Sequence, residues 1–190
     1  MKKQKIEAFE NLVSAFQDIP SIGKKSAIKM AYHLVMVDSF SAMKLSHAIE
    51  EGVNSIKRCK KCHNMSEDEL CFICADEYRD SSILCIVQSA KDILTIEESG
   101  EYKGVYYIVT QLRDLDEYHL KDAVGGVHEV IFAFPPSLAT DTMILYIEDK
   151  LLDIRGLKFT KIAQGVPTGV ELDNVDMLSL SRAMEARVKI

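Results

Sequence analysis

The chain has 190 residues, 47% of them apolar and 27% charged. That is enough material for an ordinary packed core, which sets aside a disordered or collagen-like protein. The net charge of −6 speaks against a nucleic-acid partner on average, but the average conceals a split: residues 1–62 carry eleven Lys/Arg against six Asp/Glu, a net of +5, whereas residues 63–190 carry −11.

The first stretch, MKKQKIEAFENLV, is amphipathic and charged without an apolar signal-peptide region, and no later apolar run approaches the ~20 residues needed to cross a bilayer. A cytoplasmic protein with no membrane partner is expected. Ile6, Phe9, Leu12, Val13 and Phe16 recur at helical spacing. The helix breaks at DIPSIGKKSAIKMAYHL, where Pro20 and Gly23 punctuate a hairpin, and Ala27, Ile28, Ala31, Leu34 and Val35 give a second helical stripe. A third short helix is expected over SAMKLSHAIEEGVNSI.

The hairpin has a physical logic of its own. A tight turn with Gly23 leading into a helix leaves backbone N–H groups pointing outward, and the positive end of that helix suits a phosphate. Lys24, Lys25 and Lys29 lie just beyond the turn and are the candidate DNA contacts. The same helix pair could instead serve to pack or dimerise.

Next comes CKKCHNMSEDELCFIC, two Cys-x-x-Cys pairs separated by eight residues. Zn²⁺ takes four tetrahedral ligands, and the two-residue spacing lets both sulfurs of a knuckle reach one ion; Cys59, Cys62, Cys71 and Cys74 satisfy that arithmetic. Four thiolates leave no open coordination position, so such a zinc is structural and cannot activate water. A redox role would need only one pair. His63 adjoins Cys62 but is expected to be a solvated loop histidine, because four cysteines already fill the shell, and Cys85, inside the run ILCIV, is expected to be a buried strand residue.

After the cysteines, apolar runs alternate with helical stretches: SILCIV, AKDILTIEES, VYYIV, EVIFAF, TMILYIEDKLL, KFTKIA and DMLSLSRAMEAR. Such alternation predicts a largely parallel sheet with covering helices, and places the chemistry at the C-terminal strand ends, near Gln88 and after Phe134. No P-loop occurs, and no spacing of Ser, His and Cys suggests a nucleophile with its base.

IPSIGKKSAIKMAYHL, the four-cysteine knuckle, ILCIVQSAKDILTIEESGEYKGVYYIV and TKIAQGVPTGVELDNVDMLSLSRAMEAR, in this order, make the chain resemble the RecR family of bacterial recombination mediators from end to end. The resemblance implies a mixed α and β, multi-part fold. Its parts are a helix-hairpin-helix region (1–55), a zinc finger with one structural Zn²⁺ per chain (56–78), a degenerate Toprim domain (79–165) and a C-terminal Walker-B-like segment (166–190). It also implies a homo-oligomer, a dimer or a ring tetramer, that binds DNA and has no catalytic residues. Such a protein works with RecO-like and, in many bacteria, RecF-like proteins to help load RecA on SSB-coated single strands. Lys25 and Lys29 match hairpin positions implicated in DNA contact in that family; Lys24 replaces what is commonly proline, and Ser21 stands where the hairpin usually has its first glycine.

An active Toprim site combines a strand-end glutamate with a later Asp-x-Asp pair, because Mg²⁺ demands hard oxygen ligands. Here Gln88 replaces the glutamate, and in FAFPPSLATDTM the pair becomes Ala139 and Asp141, leaving one carboxylate of three. The segment TQLRDLDEYHLKDAVGGVHEV also lacks the family's SPLDGIGP-like loop. Without a P-loop, the tail around Val175 and Asp176 cannot hydrolyse ATP, and Leu178, Leu180 and Met184 are expected to pack against the sheet or a neighbouring subunit. Two other readings remain: a Mg-dependent Toprim nuclease or phosphotransferase, and a protein-only scaffold that has lost DNA binding.

Overall fold

The structure, a computed structural model, describes residues 6–163, 165–166 and 168–187. The chain forms two compact units, Met1–Ile56 and Lys57–Ile190.

The first unit is helical: α1 (Glu7–Gln17), α2 (Lys24–Tyr32) and α3 (Ser39–Ser55), with a π-helical turn at His33–Val37 between the last two. Its small core consists of Val13, Ala27 and Ala31, flanked by the half-buried Phe9, Leu12, Phe16 and Ile22. Two alanines four residues apart on α2 present no bulk, so α1 can lie close against that face. The rest of the second stripe behaves differently, since Ile28 and Val35 are exposed. The third helix lies where it is expected, within two residues at each end. Asp38 caps it by accepting from the Ser41 N–H at 2.9 Å and from the Ser41 hydroxyl at 2.7 Å, so α3 starts two residues earlier than its apolar pattern and runs for 17 residues.

The second unit opens with a two-stranded ribbon, β1 (Lys57–Arg58) antiparallel to β2 (Met65–Ser66), followed by the one-turn α4 (Phe72–Ala75). Then come β3 (Asp80–Val87), α5 (Ala90–Ser99), β4 (Gly104–Ile108), α6 (Glu117–Ala123), β5 (Glu129–Phe132), α7 (Leu138–Leu151) and β6 (Lys158–Lys161), and α8 (Met177–Glu185) is the last helix among the described residues. The four long-range strands form one parallel sheet in the order β4-β3-β5-β6. The connection leaves β3 on one side and returns on the other, so the topological switch point lies at the C-terminal end of β3, beside Gln88.

The run LCIV of β3 is buried on both faces, and side-chain alternation sorts it into two cores. Leu84 and Ile86 face a cluster with Val105, Tyr107, Val130, Phe132, Leu120 of α6 and Ile147 of α7. Cys85 and Val87 face the other way, against Tyr106, Ile93 of α5 and three of the cysteines, Cys59, Cys62 and Cys71. Cys85 is therefore the buried strand residue expected, and burial pushes its thiol up to about 12. The four-cysteine knuckle is thus part of the layer that covers one face of the sheet.

Candidate zinc centre and nucleic-acid interface

The sulfurs of Cys59, Cys62, Cys71 and Cys74 all lie within 4.8 Å of one another. A tetrahedral four-thiolate zinc centre with Zn–S near 2.3 Å puts its sulfurs about 3.8 Å apart, whereas a disulfide needs about 2.0 Å. Cys62 Sγ and Cys71 Sγ are 3.5 Å apart, and all four cysteines are free thiols. The donor set and its spacing therefore fit zinc. Backbone N–H groups already point at two of the sulfurs, from Asn64 to Cys62 Sγ at 3.4 Å and from Cys71 to Cys59 Sγ at 3.3 Å, which favours the thiolate form. Hydrogen bonding between the paired sulfurs drives the Cys62 thiol up and holds the Cys71 thiol down. Such crowding leaves no room for four bare thiolates unless a cation stands among them.

The loop that presents the first pair is held at several points. Cys59 N–H donates to Asn64 O at 2.7 Å, His63 N–H to Cys59 O at 3.0 Å, and Lys60 N–H to Glu69 O at 3.0 Å. Asn64, 2% exposed, accepts from the Met65 N–H at 2.8 Å through its side chain. The Ile108 N–H at the end of β4 donates to Cys62 O at 3.0 Å, which ties the knuckle to the sheet. His119 of α6 adds a second tie: its Nε2–H donates to Lys60 O at 2.7 Å while Nδ1 accepts from the Tyr107 hydroxyl at 2.8 Å.

His63 departs from the expectation of a solvated loop residue. It is half-buried, its backbone is left-handed at φ 65°, and its ring stacks on His119 with centroids 4.7 Å apart. Partial burial, with His119 and Arg58 nearby, holds its imidazole below the usual histidine range. Asn64, Tyr107 and His119 were not singled out from the sequence as supports of the knuckle. The one local signal was the His-Asn pair after Cys62, since both residue types are enriched in left-handed turns.

In the first unit, the turn joining α1 to α2 closes with Ile22 N–H donating to Ile19 O at 3.2 Å, Pro20 at its second position and Ser21 at its third with φ 70°. A type II turn demands that left-handed third residue, so Ser21 holds the conformation that glycine supplies without strain. Gly23 is the N-cap of α2 and offers no side-chain cap, so the first backbone N–H groups of the helix stay open. Lys24, Lys25 and Lys29 are all exposed. Lys25 and Lys29 lie two residues before and after the buried Ala27, which puts them on the opposite face of α2.

Residues 9–53 match the family model described as RecR helix-hairpin-helix, residues 56–76 that of the RecR four-cysteine zinc finger domain, residues 82–163 that of the Toprim domain and residues 165–188 that of the RecR C-terminal region. The chain is 56% identical over 190 residues to the recombination protein RecR of Nitratiruptor sp., covering 99% of this chain and 100% of that one. The chain belongs to the RecR family. RecR proteins of Helicobacter pylori (strain Shi470) and Campylobacter jejuni subsp. doylei are 46% and 48% identical to it, each over 97% or more of both chains. The expected RecR parts, helix-hairpin-helix, zinc finger, Toprim and C-terminal region, are present in that order, and the four clustered cysteines fit the one structural zinc per chain of the RecR finger.

The Toprim strand ends of this RecR-family protein show what the substitutions leave. Gln88 is half-buried directly after β3, and its backbone carbonyl accepts from the Thr110 hydroxyl at 3.2 Å. The helix that follows is closed by its own residues, because Asp92 accepts from the Ser89 N–H at 2.8 Å and the Ser89 hydroxyl at 2.9 Å. Asp141 is exposed in the first turn of α7, whose N-terminus is capped by Ser137 and Thr140. Among the described residues, the four cysteines are the only group of three or more His, Cys, Asp or Glu side chains that converges on one ion position. In the C-terminal region Asp176 caps α8 by accepting from the Ser179 N–H at 2.9 Å. Leu180 is half-buried, but Leu178 and Met184 are 55% and 61% exposed, so the chain's own sheet does not cover them. No helix of the described residues is long and apolar enough to cross a membrane.

Proposed function

We propose that this RecR-family protein is a noncatalytic, DNA-binding mediator of recombinational repair, organised as regions 1–55, 56–78, 79–165 and 166–190. It works in the cytoplasm with RecO-like and RecF-like partners to help load RecA on SSB-coated single-stranded DNA. The observation that carries DNA binding is the α1–α2 turn, where an uncapped helix N-terminus stands beside the exposed Lys24, Lys25 and Lys29. That arrangement offers backbone amides and cations to phosphates and has no reader of base edges, so sequence preference is weak.

Changing Lys25 and Lys29 together to alanine removes two cations per subunit. The slope of log affinity against log salt should become shallower by about one to two units per bound subunit, with zinc content and oligomer mass unchanged. A titration at several salt concentrations reads this. Wild-type affinity and slope in the double variant would make the hairpin a packing element.

The noncatalytic reading is supported by the side chains around the switch point: Gln88 is neutral, Ala139 carries no ligand atom, and among the described residues Asp141 belongs to no group of three or more metal-ligating side chains. Purified protein should neither cleave nor religate DNA in Mg²⁺ or Mn²⁺. An activity that copurifies and disappears in Asp141→Ala would restore the Toprim enzyme reading.

Self-association is supported by apolar surface on the first unit. Val35, Met36, Val37, Phe40, Met43, Ile49 and Val53 are each more than half exposed, and Leu12, Phe16, Leu45 and Ile49 line a groove of about 410 Å³. Surface of that kind is rarely left bare in a soluble monomer.

A further inference from the structure

The second unit carries a basic cluster that the hairpin does not account for. Lys57, Arg58, Lys60 and Lys61 fall within five residues around Cys59, and all four are exposed. Lys60 is ion-paired with Glu69, whereas Lys57, Arg58 and Lys61 have no ion pair among the described residues. We propose that the basic arm of the zinc knuckle, residues 57–61, is a second contact for the phosphate backbone of DNA, with Lys57, Arg58 and Lys61 as its cations; the proposal rests on the reading that the protein binds DNA.

Three features support it. First, the cations spring from a loop that is already fixed. The bonds from Cys59 N–H to Asn64 O, Ile108 N–H to Cys62 O and His119 Nε2–H to Lys60 O hold the backbone between and beside them. A pre-organised loop loses little entropy when a strand docks, unlike lysines on a floppy tail. Second, the surface is concave where Lys60 and Lys61 emerge. With Leu70, His119, Asp122 and Ala123 they line a recess of about 210 Å³, so a backbone phosphate at its mouth meets Lys61, the cation of the wall that is not ion-paired; Asp122 is the one carboxylate on that wall. Third, the sign of charge is local. Residues 57–61 carry four cations and no carboxylate, whereas beyond residue 62 the chain carries −11, the exposed Glu67, Asp68 and Glu69 of the same knuckle included, so a polyanion is drawn to the 57–61 arm and repelled elsewhere on the second unit. The cationic groups are lysine and arginine without an ordered set of amide side chains beside them, which suits phosphates rather than base edges.

The test is a salt-dependent binding titration with a labelled oligothymidine strand, run on the wild type, the hairpin variant (Lys25→Ala, Lys29→Ala), a knuckle variant (Lys57→Ala, Arg58→Ala, Lys61→Ala) and a charge-preserving control (Lys57→Arg, Lys61→Arg). Zinc content and melting temperature are measured on each. The knuckle variant should keep its zinc and its melting temperature but lose about two units of log–log slope per bound subunit, at roughly 0.7 unit per phosphate contact on a single strand. The charge-preserving control should keep the wild-type slope. Should the triple variant lose zinc, the milder pair Lys57→Gln and Lys61→Gln takes its place, with an expected loss of about one unit.

The outcomes separate the two readings. A loss of slope in the knuckle variant alone supports this contact and removes the hairpin one. A loss in the hairpin variant alone overturns this contact and leaves the hairpin. A loss in both variants supports both contacts. A wild-type slope in both variants overturns both, and a wild type that binds no DNA overturns the DNA reading itself, leaving an acidic protein partner for the basic face.

Discussion

Replacing Cys71 with serine should empty the metal site and unfold the second unit. Cys71 contributes twice: its sulfur lies 3.5 Å from Cys62 Sγ, and its N–H donates to Cys59 Sγ at 3.3 Å. Metal binding and local folding are one event in such knuckles, worth on the order of 10 kcal/mol in peptides, which is comparable with the whole stability of an ordinary domain. The loss does not stay local here, because Cys59, Cys62 and Cys71 share a core with Cys85, Val87, Ile93 and Tyr106. Elemental analysis should fall from one zinc per chain to none, and the Cys85 thiol, buried in the native protein, should begin to react with a thiol reagent. A strong chelator should produce the same two changes in the wild type. Wild-type protein purified without chelator and found to hold no zinc would sink the zinc reading.

A single methyl group at Gly104 should cost about 3 kcal/mol, near the upper end of what overpacking usually does. A Cβ there falls far inside van der Waals contact with the Tyr102 hydroxyl and stands 2.5 Å from the backbone oxygen of Ile83. The carbonyl belongs to a β3 residue that is paired with Glu129 of β5, so it cannot move without disturbing that ladder. The tyrosine cannot move without abandoning its place between the Ile83 and Val105 carbonyls, at 3.0 and 2.8 Å. Gly104→Ala should lower the denaturant midpoint of the second unit sharply. The helical first unit, which has its own core, should keep its transition. An unchanged midpoint would mean that Tyr102 does not hold the strand start.

The features legible in the sequence were those carried by local spacing. Four cysteines at two-residue and eight-residue intervals name a tetrahedral site whatever the surrounding fold, and ILCIV reads as a strand buried on both faces because no polar residue interrupts it. The features that were not legible depend on residues far apart in the chain. That the knuckle covers a face of the sheet follows from Cys59 and Cys62 sharing one buried cluster with Val87 and Tyr106. The hydrogen bond from His119 to Lys60 spans 59 residues, and nothing in the local pattern of α6 announces it. His63 was misjudged for the same reason, since its environment is made by α6 and β4 and not by its neighbours in sequence. The start of α3 lies two residues ahead of its apolar stripe for a local reason, because Asp38 caps the helix through Ser41. Leu178 and Met184 show apolar spacing without cover from their own chain, a distinction that spacing does not carry.

The central claim, that this protein is a recombination mediator and not an enzyme, is tested most directly by RecA loading on SSB-coated single-stranded DNA, followed as the rate of RecA's DNA-dependent ATP hydrolysis after SSB has saturated the strand. Together with RecO from the same source, the wild-type protein should shorten the lag, while the hairpin variant with Lys25→Ala and Lys29→Ala should leave it long. A lag that the wild-type protein leaves unchanged at any ratio to RecO would contradict the account.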